Sequence, residues 1–288
     1  MWLIYSVACA LSDSIASLTN KKLISKKQDP MSVSLFIHGF GTLAFLALAV
    51  ITSQKLFPIG SKLLLFIIIT AAATAAAGVI LLMSFRKGDL SLIAPIQTIT
   101  PLLILLIAIF FLKESPSPIG LIGIILILVG GVVLDKDPGE SIGSIAKRIV
   151  SYKPALLGVL AAGLYAIASV FDKGGLKITT LGVWIFYVYF FIFIFIMPIV
   201  LFKRRKELTK LKENKLLLLA SAFFSVSAIY LQLLALQTAL VTYVLSVKRL
   251  SSVFAVVLSY IFLDETKALH RLRGAAIMVA GAILIGLS

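Results

Sequence analysis

The chain has 288 residues, is 60% hydrophobic and carries a formal net charge of +15. With a mean hydropathy of +1.11, this balance excludes a soluble globular domain and a disordered tail, and points to a polytopic membrane protein. The positive charge is spread over short loops, which fits membrane topology and argues against a nucleic-acid partner.

Ten apolar runs are predicted as membrane-spanning helices: 2–23, 31–52, 63–85, 90–112, 117–134, 154–172, 180–202, 215–238, 240–262 and 270–287. Each is about the length that crosses a bilayer. The first run contains Ala8-Cys9-Ala10, a hint of a cleavage site. It lacks a basic leader and continues to Leu23, so it is read as a retained helix. Cys9 is the single cysteine, which excludes an internal disulfide and a cysteine-based metal site. Gly39 and Gly41 form a Gly-x-Gly inside the second run, which suits helix packing better than nucleotide binding. No phosphate loop, metal-binding histidine pair or nucleophile elbow is present, so no cofactor or metal is expected.

Charges within the spans are few. Asp13 lies at the centre of the first run, and Lys248 and Arg249 lie near the middle of the ninth. A cation at that depth costs about 3 kcal/mol on insertion scales, so such residues face a polar cavity and pair with one another or with a solute. Lys248, Ser252, Ala255 and Ser259 follow steps of four, three and four and share one helix face. Arg249 is turned about 100° from Lys248, so one cation is free to meet a solute while the other pairs internally. Asp13 has three readings: a structural counter-ion, a proton-coupling carboxylate, or a ligand for a solute amine. Ser17 lies one turn further along, and Tyr165 stands near the equivalent position of the sixth span. Pro95 and Pro101 bend the fourth span around Gln97, a cavity candidate. Gln232 and His38 are polar at depth and suit interhelical hydrogen bonds or solute contact. Tyr243 and Tyr230 could line the same cavity. Glu114 and Glu265 are read as solvated groups at helix ends.

The two halves repeat. Phe111-Leu-Lys-Glu114 matches Phe262-Leu-Asp-Glu265, and Gly123 and Gly130 match Gly274 and Gly281, at one offset of 151. Ile15-Ala-Ser17 and Lys21 match Ile167-Ala-Ser169 and Lys173 at 152. The polar stretch from Asp135 reads as a linker, giving repeats over 1–138 and 154–288 with 139–153 between them. Five spans per half require the second copy to be inverted, the pattern of secondary transporters whose site lies at the repeat interface.

The blocks Ala94-Pro-Ile-Gln-Thr-Ile-Thr-Pro101 and Val241-Thr-Tyr-Val-Leu-Ser-Val-Lys-Arg-Leu-Ser-Ser252, each leading to its Phe-Leu-x-Glu and a glycine-spaced helix, resemble the drug/metabolite transporter superfamily and its ten-helix EamA-like members. The resemblance covers essentially the whole chain. It implies an all-α integral membrane protein and a small-molecule metabolite, and it leaves the substrate open among amino acids, nucleotide sugars, sugar phosphates and others. The Lys248-Arg249 pair is similar to one that plastid phosphate translocators of this superfamily use on phosphate, which narrows the expectation towards an anion. The first-half counterpart of Lys248 is Gln97.

The odd-numbered loops carry 20 lysines and arginines and the even-numbered loops 5. The positive-inside rule then puts the odd loops in the cytoplasm and both termini outside a plasma membrane. Lys203-Arg-Arg-Lys206 sits at an anionic lipid leaflet on this reading. The heptad-spaced glycines of the fifth and tenth spans suit close contact within the chain or in a homodimer. The expected function is secondary transport, with substrate-binding candidates Lys248, Arg249, Gln97, Ser252, Tyr243 and Gln232, and Asp13 as coupling group or counter-ion. The alternatives are a membrane-embedded enzyme on lipid head groups and a non-transporting assembly subunit.

Overall fold

The computed structural model describes residues 1–87, 98–135, 152–263 and 272–288. Gln97, Pro95, Glu265, the start of the fourth span and most of the 139–153 linker lie outside them. The regular secondary structure of the described residues is all helical: α1 (Trp2–Ser25), α2 (Pro30–Ile51), α3 (Ser61–Lys87), α4 (Thr100–Phe111), α5 (Pro118–Asp135), α6 (Lys153–Leu176), α7 (Leu181–Lys203), the short α8 (Arg205–Lys210) with a 3-10 turn (Leu211–Asn214), α9 (Lys215–Thr238), α10 (Val241–Lys248), α11 (Leu250–Leu263) and α12 (Leu272–Gly286). Seven candidate spans are long and apolar enough to cross a membrane, and Thr100–Phe111, Pro118–Leu134 and Leu272–Gly286 are shorter apolar helices. In hydrocarbon each backbone amide needs a partner within its own segment, so sequences this apolar fold as helices.

Local chemistry sets several ends. Asp29 caps α2 by accepting from the Ser32 amide at 3.0 Å, with Pro30 at the first turn where its missing N–H costs nothing. The predicted ninth span is interrupted, contrary to the continuous helix expected from hydropathy. The Arg249 amide bonds Ser246 O at 3.0 Å, three residues back, and this tight turn separates α10 from α11. The Ser252 hydroxyl and amide both take the Arg249 carbonyl, at 2.8 and 3.1 Å, so the turn leaves that group satisfied.

The helices pack across the two halves of the chain: α1 on α9, α2 on α7, α3 on α6, and α5 on α12. The α5–α12 contact depends on glycine. A Cβ on Gly123 would lie 2.6 Å from Gly281 O, and one on Gly281 would lie 2.6 Å from Gly123 O. Gly130 and Gly274 face each other in the same way, so these helices run antiparallel with backbones touching. The heptad glycines are thus occupied within one chain. Gly39 and Gly41 likewise make room for Phe193 and Tyr189 of α7.

One end of the bundle gathers the even-numbered loops. Gln54 Oε1 accepts from Thr180 Oγ1 (2.6 Å) and the Val183 amide (3.1 Å), and Tyr187 donates to Leu56 O (2.9 Å). Glu114 overturns its sequence reading here. It is 6% exposed rather than solvated, and its Oε2 accepts from the Val241 amide at 2.9 Å, capping α10. Lys173 donates to the carbonyls of Leu236 and Ala239 at the end of α9. The acid at a helix start and the cation at a helix end both match the local dipole, and together they clamp the α9–α10 turn. The opposite end gathers the odd loops, with Arg204 paired to Asp29, Lys26 bonded to Asn214 and Ser84 to Pro154 O.

Two outcomes are expected. Gly281→Val should lower stability by about 1–3 kcal/mol through overpacking, while Gly163→Ala, with nothing within 4 Å of its Cβ, should be neutral or mildly stabilising in thermal melts. Burial raises the Glu114 carboxyl above its ordinary value, opposed by the Val241 bond and nearby lysines. The folded state therefore holds that proton more tightly than the unfolded chain. This contribution is present in full below the ordinary value and fades as pH rises through the raised one. Glu114→Gln should flatten that part of the melting-temperature profile; an unchanged profile would show that Glu114 is not its source.

Candidate functional site

The break between α10 and α11 sets Lys248 against α1 and α9. Its Nζ donates to Gln232 Oε1 at 2.8 Å and lies 3.7 Å from Asp13 Oδ1. That distance makes Asp13 and Lys248 an ion pair. The pair is not sealed in the core: the Lys248 and Asp13 side chains are 25% and 33% exposed. Cys9, one turn before Asp13, is fully buried against the Gln232 backbone, and Gln232 is itself 3% exposed.

The pair and the most exposed apolar residues of α1 lie on different sides of that helix. On α1, Ile4, Val7 and Leu11 form one outward apolar stripe. Asp13 lies about 200° round the helix from Leu11 by the 100° repeat. Ser17, Asn20 and Ile24 follow Asp13 at steps of four, three and four, and Ser17 is exposed. This stripe is mixed, with Asp13 and Asn20 partly buried and Ser17 and Ile24 exposed.

The other predicted residues are placed less uniformly. Arg249 forms the turn itself and is partly buried. Ser252 spends its hydroxyl on the Arg249 carbonyl, with Met278 Sδ 3.9 Å away. Tyr243 is 7% exposed, stacks on Trp2 with centroids 6.2 Å apart, and accepts from the Ser117 amide at 2.9 Å. It fastens the even-loop end and does not sit beside Lys248. Tyr230 instead stacks on Phe45. His38 bonds within its own helix, Nδ1 to Ser34 O at 2.8 Å, where an interhelical bond was expected. Among the described residues no group of three or more histidines, cysteines, aspartates or glutamates could hold a metal.

Asp172 escaped the sequence reading, which ended the sixth span at that residue and took Asp13 as the sole mid-span acid. In the structure α6 continues to Leu176, and Asp172 is buried and accepts from Trp184 Nε1 at 2.9 Å. The repeat carried the signal, because Asp172 matches Asn20 at the 152 offset. Asn20 is held across the halves, accepting from Ser221 at 2.6 Å, whereas the partner of Asp172 belongs to its own half.

Asp13→Asn removes the counter-charge but leaves Gln232. Because both charges are partly solvated, the expected loss is about 1 kcal/mol rather than the larger cost of a sealed pair. Adding Lys248→Gln should restore most of it. Melting curves of the two single variants and the double would check this, and additive losses would refute the pairing.

The sequence matches the EamA-like transporter family over residues 1–134 and again over 153–287. No curated protein matches it. A solved crystal structure superposes with a TM-score of 0.77 at 13% identity, covering 99% of this chain and 95% of that one, a likeness of fold alone. With two matched segments that together span most of its length, the chain belongs to the EamA-like transporter family, within the drug/metabolite transporter superfamily.

Proposed function

We propose that this protein is a secondary transporter that moves a small polar, anionic metabolite by alternating access of two inverted five-helix repeats. The carrying observation is the Lys248 ammonium, set at a helix break, held by Gln232 and Asp13 and still partly exposed. Asp13 offsets the cation at rest, and an arriving anion replaces that offset. A discontinuous helix beside a central site is a recurring device in transporters.

Three further features support the reading. The helix contacts are symmetric under exchange of the halves: the first span on the eighth answers the sixth on the third, and the second–seventh and fifth–tenth pairs map onto themselves. The antiparallel glycine contact of α5 and α12 fits an inverted second copy. The even-loop end is fastened by Glu114, Lys173, Tyr243 and Gln54, as a bundle closed on that side would be. Loop charge puts that side outside a plasma membrane, with both termini there.

Purified protein in liposomes should take up or exchange an organic anion. Lys248→Gln should fold but lose at least about tenfold in anion affinity, the order expected for one charge-assisted hydrogen bond. A solute screen by thermal stabilisation reads both. Equal stabilisation of Lys248→Gln and the parent by anions would refute the anionic site.

A further inference from the structure

A cavity between α1, α2, α3, α6 and α7 has a volume of about 310 Å³. That is room for roughly ten waters at ~30 Å³ each. Its walls are mainly apolar, with Ile37, Val79, Leu82 and Ile196 among them, and its polar groups come from Asn20, Ser34, His38, Thr74 and Tyr165. Three observations tie it to the charged site. Asn20 and Ile24 lie on the α1 stripe that begins at Asp13, with exposed Ser17 between Asp13 and Asn20. The Tyr165 phenol lies within electrostatic reach of the Asp13 carboxylate. Seven residues of helix separate Asp13 from Asn20, about 10 Å at 1.5 Å per residue.

The polar groups have defined capacities. His38 Nδ1 faces the Ser34 carbonyl at 2.8 Å, so that nitrogen carries the hydrogen, and Nε2 of the neutral ring is an acceptor. The ring is braced by Tyr189, with centroids 5.2 Å apart. Asn20 accepts from Ser221 through Oδ1, which leaves its amide hydrogens as donors.

We propose that this cavity is a second subsite, which takes the apolar body of the transported solute while the anionic group lies at Lys248. The solute class is an amphipathic organic anion, with an apolar body reaching about 10 Å from its charge and a hydrogen-bond donor for His38. Inorganic phosphate and short dicarboxylates fill only the charged end. This inference rests on the anionic site proposed above, and the test separates the two.

The probes are acetate, 4-phenylbutyrate, inorganic phosphate, 4-phenylbutyl phosphate and the uncharged 4-phenylbutanol, titrated into the detergent-solubilised full chain. The readouts are thermal stabilisation and calorimetric affinity. The phenylalkyl anions should bind at least about tenfold tighter than their short counterparts through buried apolar area. Gly78→Leu should abolish that gain and leave the short anions unchanged. Gly78 lines the cavity, and a Cβ there meets only Tyr165 Oη, at 3.7 Å. Thr74→Leu, one turn away, serves if the first variant fails to fold.

Equal binding of long and short anions, unmoved by either variant, overturns the subsite and leaves the charged site standing. Binding of 4-phenylbutanol that Gly78→Leu abolishes, with no preference for anions, upholds the cavity and refutes the anionic site. No binding by any phenylalkyl probe overturns the subsite. A co-purifying lipid present in the parent and lost from Gly78→Leu would assign the cavity to lipid and also overturn it.

Discussion

An ammonium group in the middle of a hydrophobic bundle has to be supplied with partners, and most of this architecture follows from that requirement. Lys248 would be prohibitively placed on a lipid-facing surface. Here it projects from a break between two short helices towards the amide of Gln232 and the carboxylate of Asp13. The break delivers the side chain inward and keeps the backbone satisfied through Ser252. Partial exposure of both charges reduces the desolvation cost, so the site is held at rest without a tight ion pair. A weakly neutralised cation is what a reversible anion site needs: strong enough to receive a solute and weak enough to release it.

The surrounding helices bring that pair together and fasten one end of the bundle. Small residues allow α5 and α12 to touch backbone to backbone, and the contacts of α1 with α9 and α3 with α6 bring the two halves together. At the even-loop end the bonds connect different helices rather than neighbours in sequence. Glu114 holds the start of α10, Lys173 the end of α9, and Tyr243 the Ser117 amide just before α5. Each would have to part for that end to open, and the α9–α10 turn, clamped from both sides, would carry the motion to Lys248 eight residues on from Leu240.

The sequence made the charged centre legible because depth is read directly from hydropathy. Asp13 and Lys248 both fell near the middle of apolar runs, and the structure brings them to 3.7 Å. Gln232 was visible for the same reason. Other features depend on long-range geometry that no local pattern carries. Glu114 lies at the end of an apolar run, where a solvated carboxylate is the ordinary expectation; its partner amide is 127 residues away. Tyr243 occupies a helix face that looks cavity-directed until the Ser117 loop is placed against it. The helix break at Arg249 has no glycine or proline to announce it. Asp172 was lost because the apolar run was ended one turn early, although its match to Asn20 across the repeat pointed to it.

The central claim is that the mid-bundle charges border water rather than lipid or sealed core. Cysteine accessibility tests this directly, because Cys9 is the one native cysteine and is fully buried. In a Cys9→Ala background, Ser17→Cys and Leu11→Cys would be treated in proteoliposomes with a membrane-impermeant anionic thiosulfonate. The account requires rapid labelling at position 17, slowed by Lys248→Gln, and none at position 11. Equal inertness of both positions from either side of the membrane would contradict it.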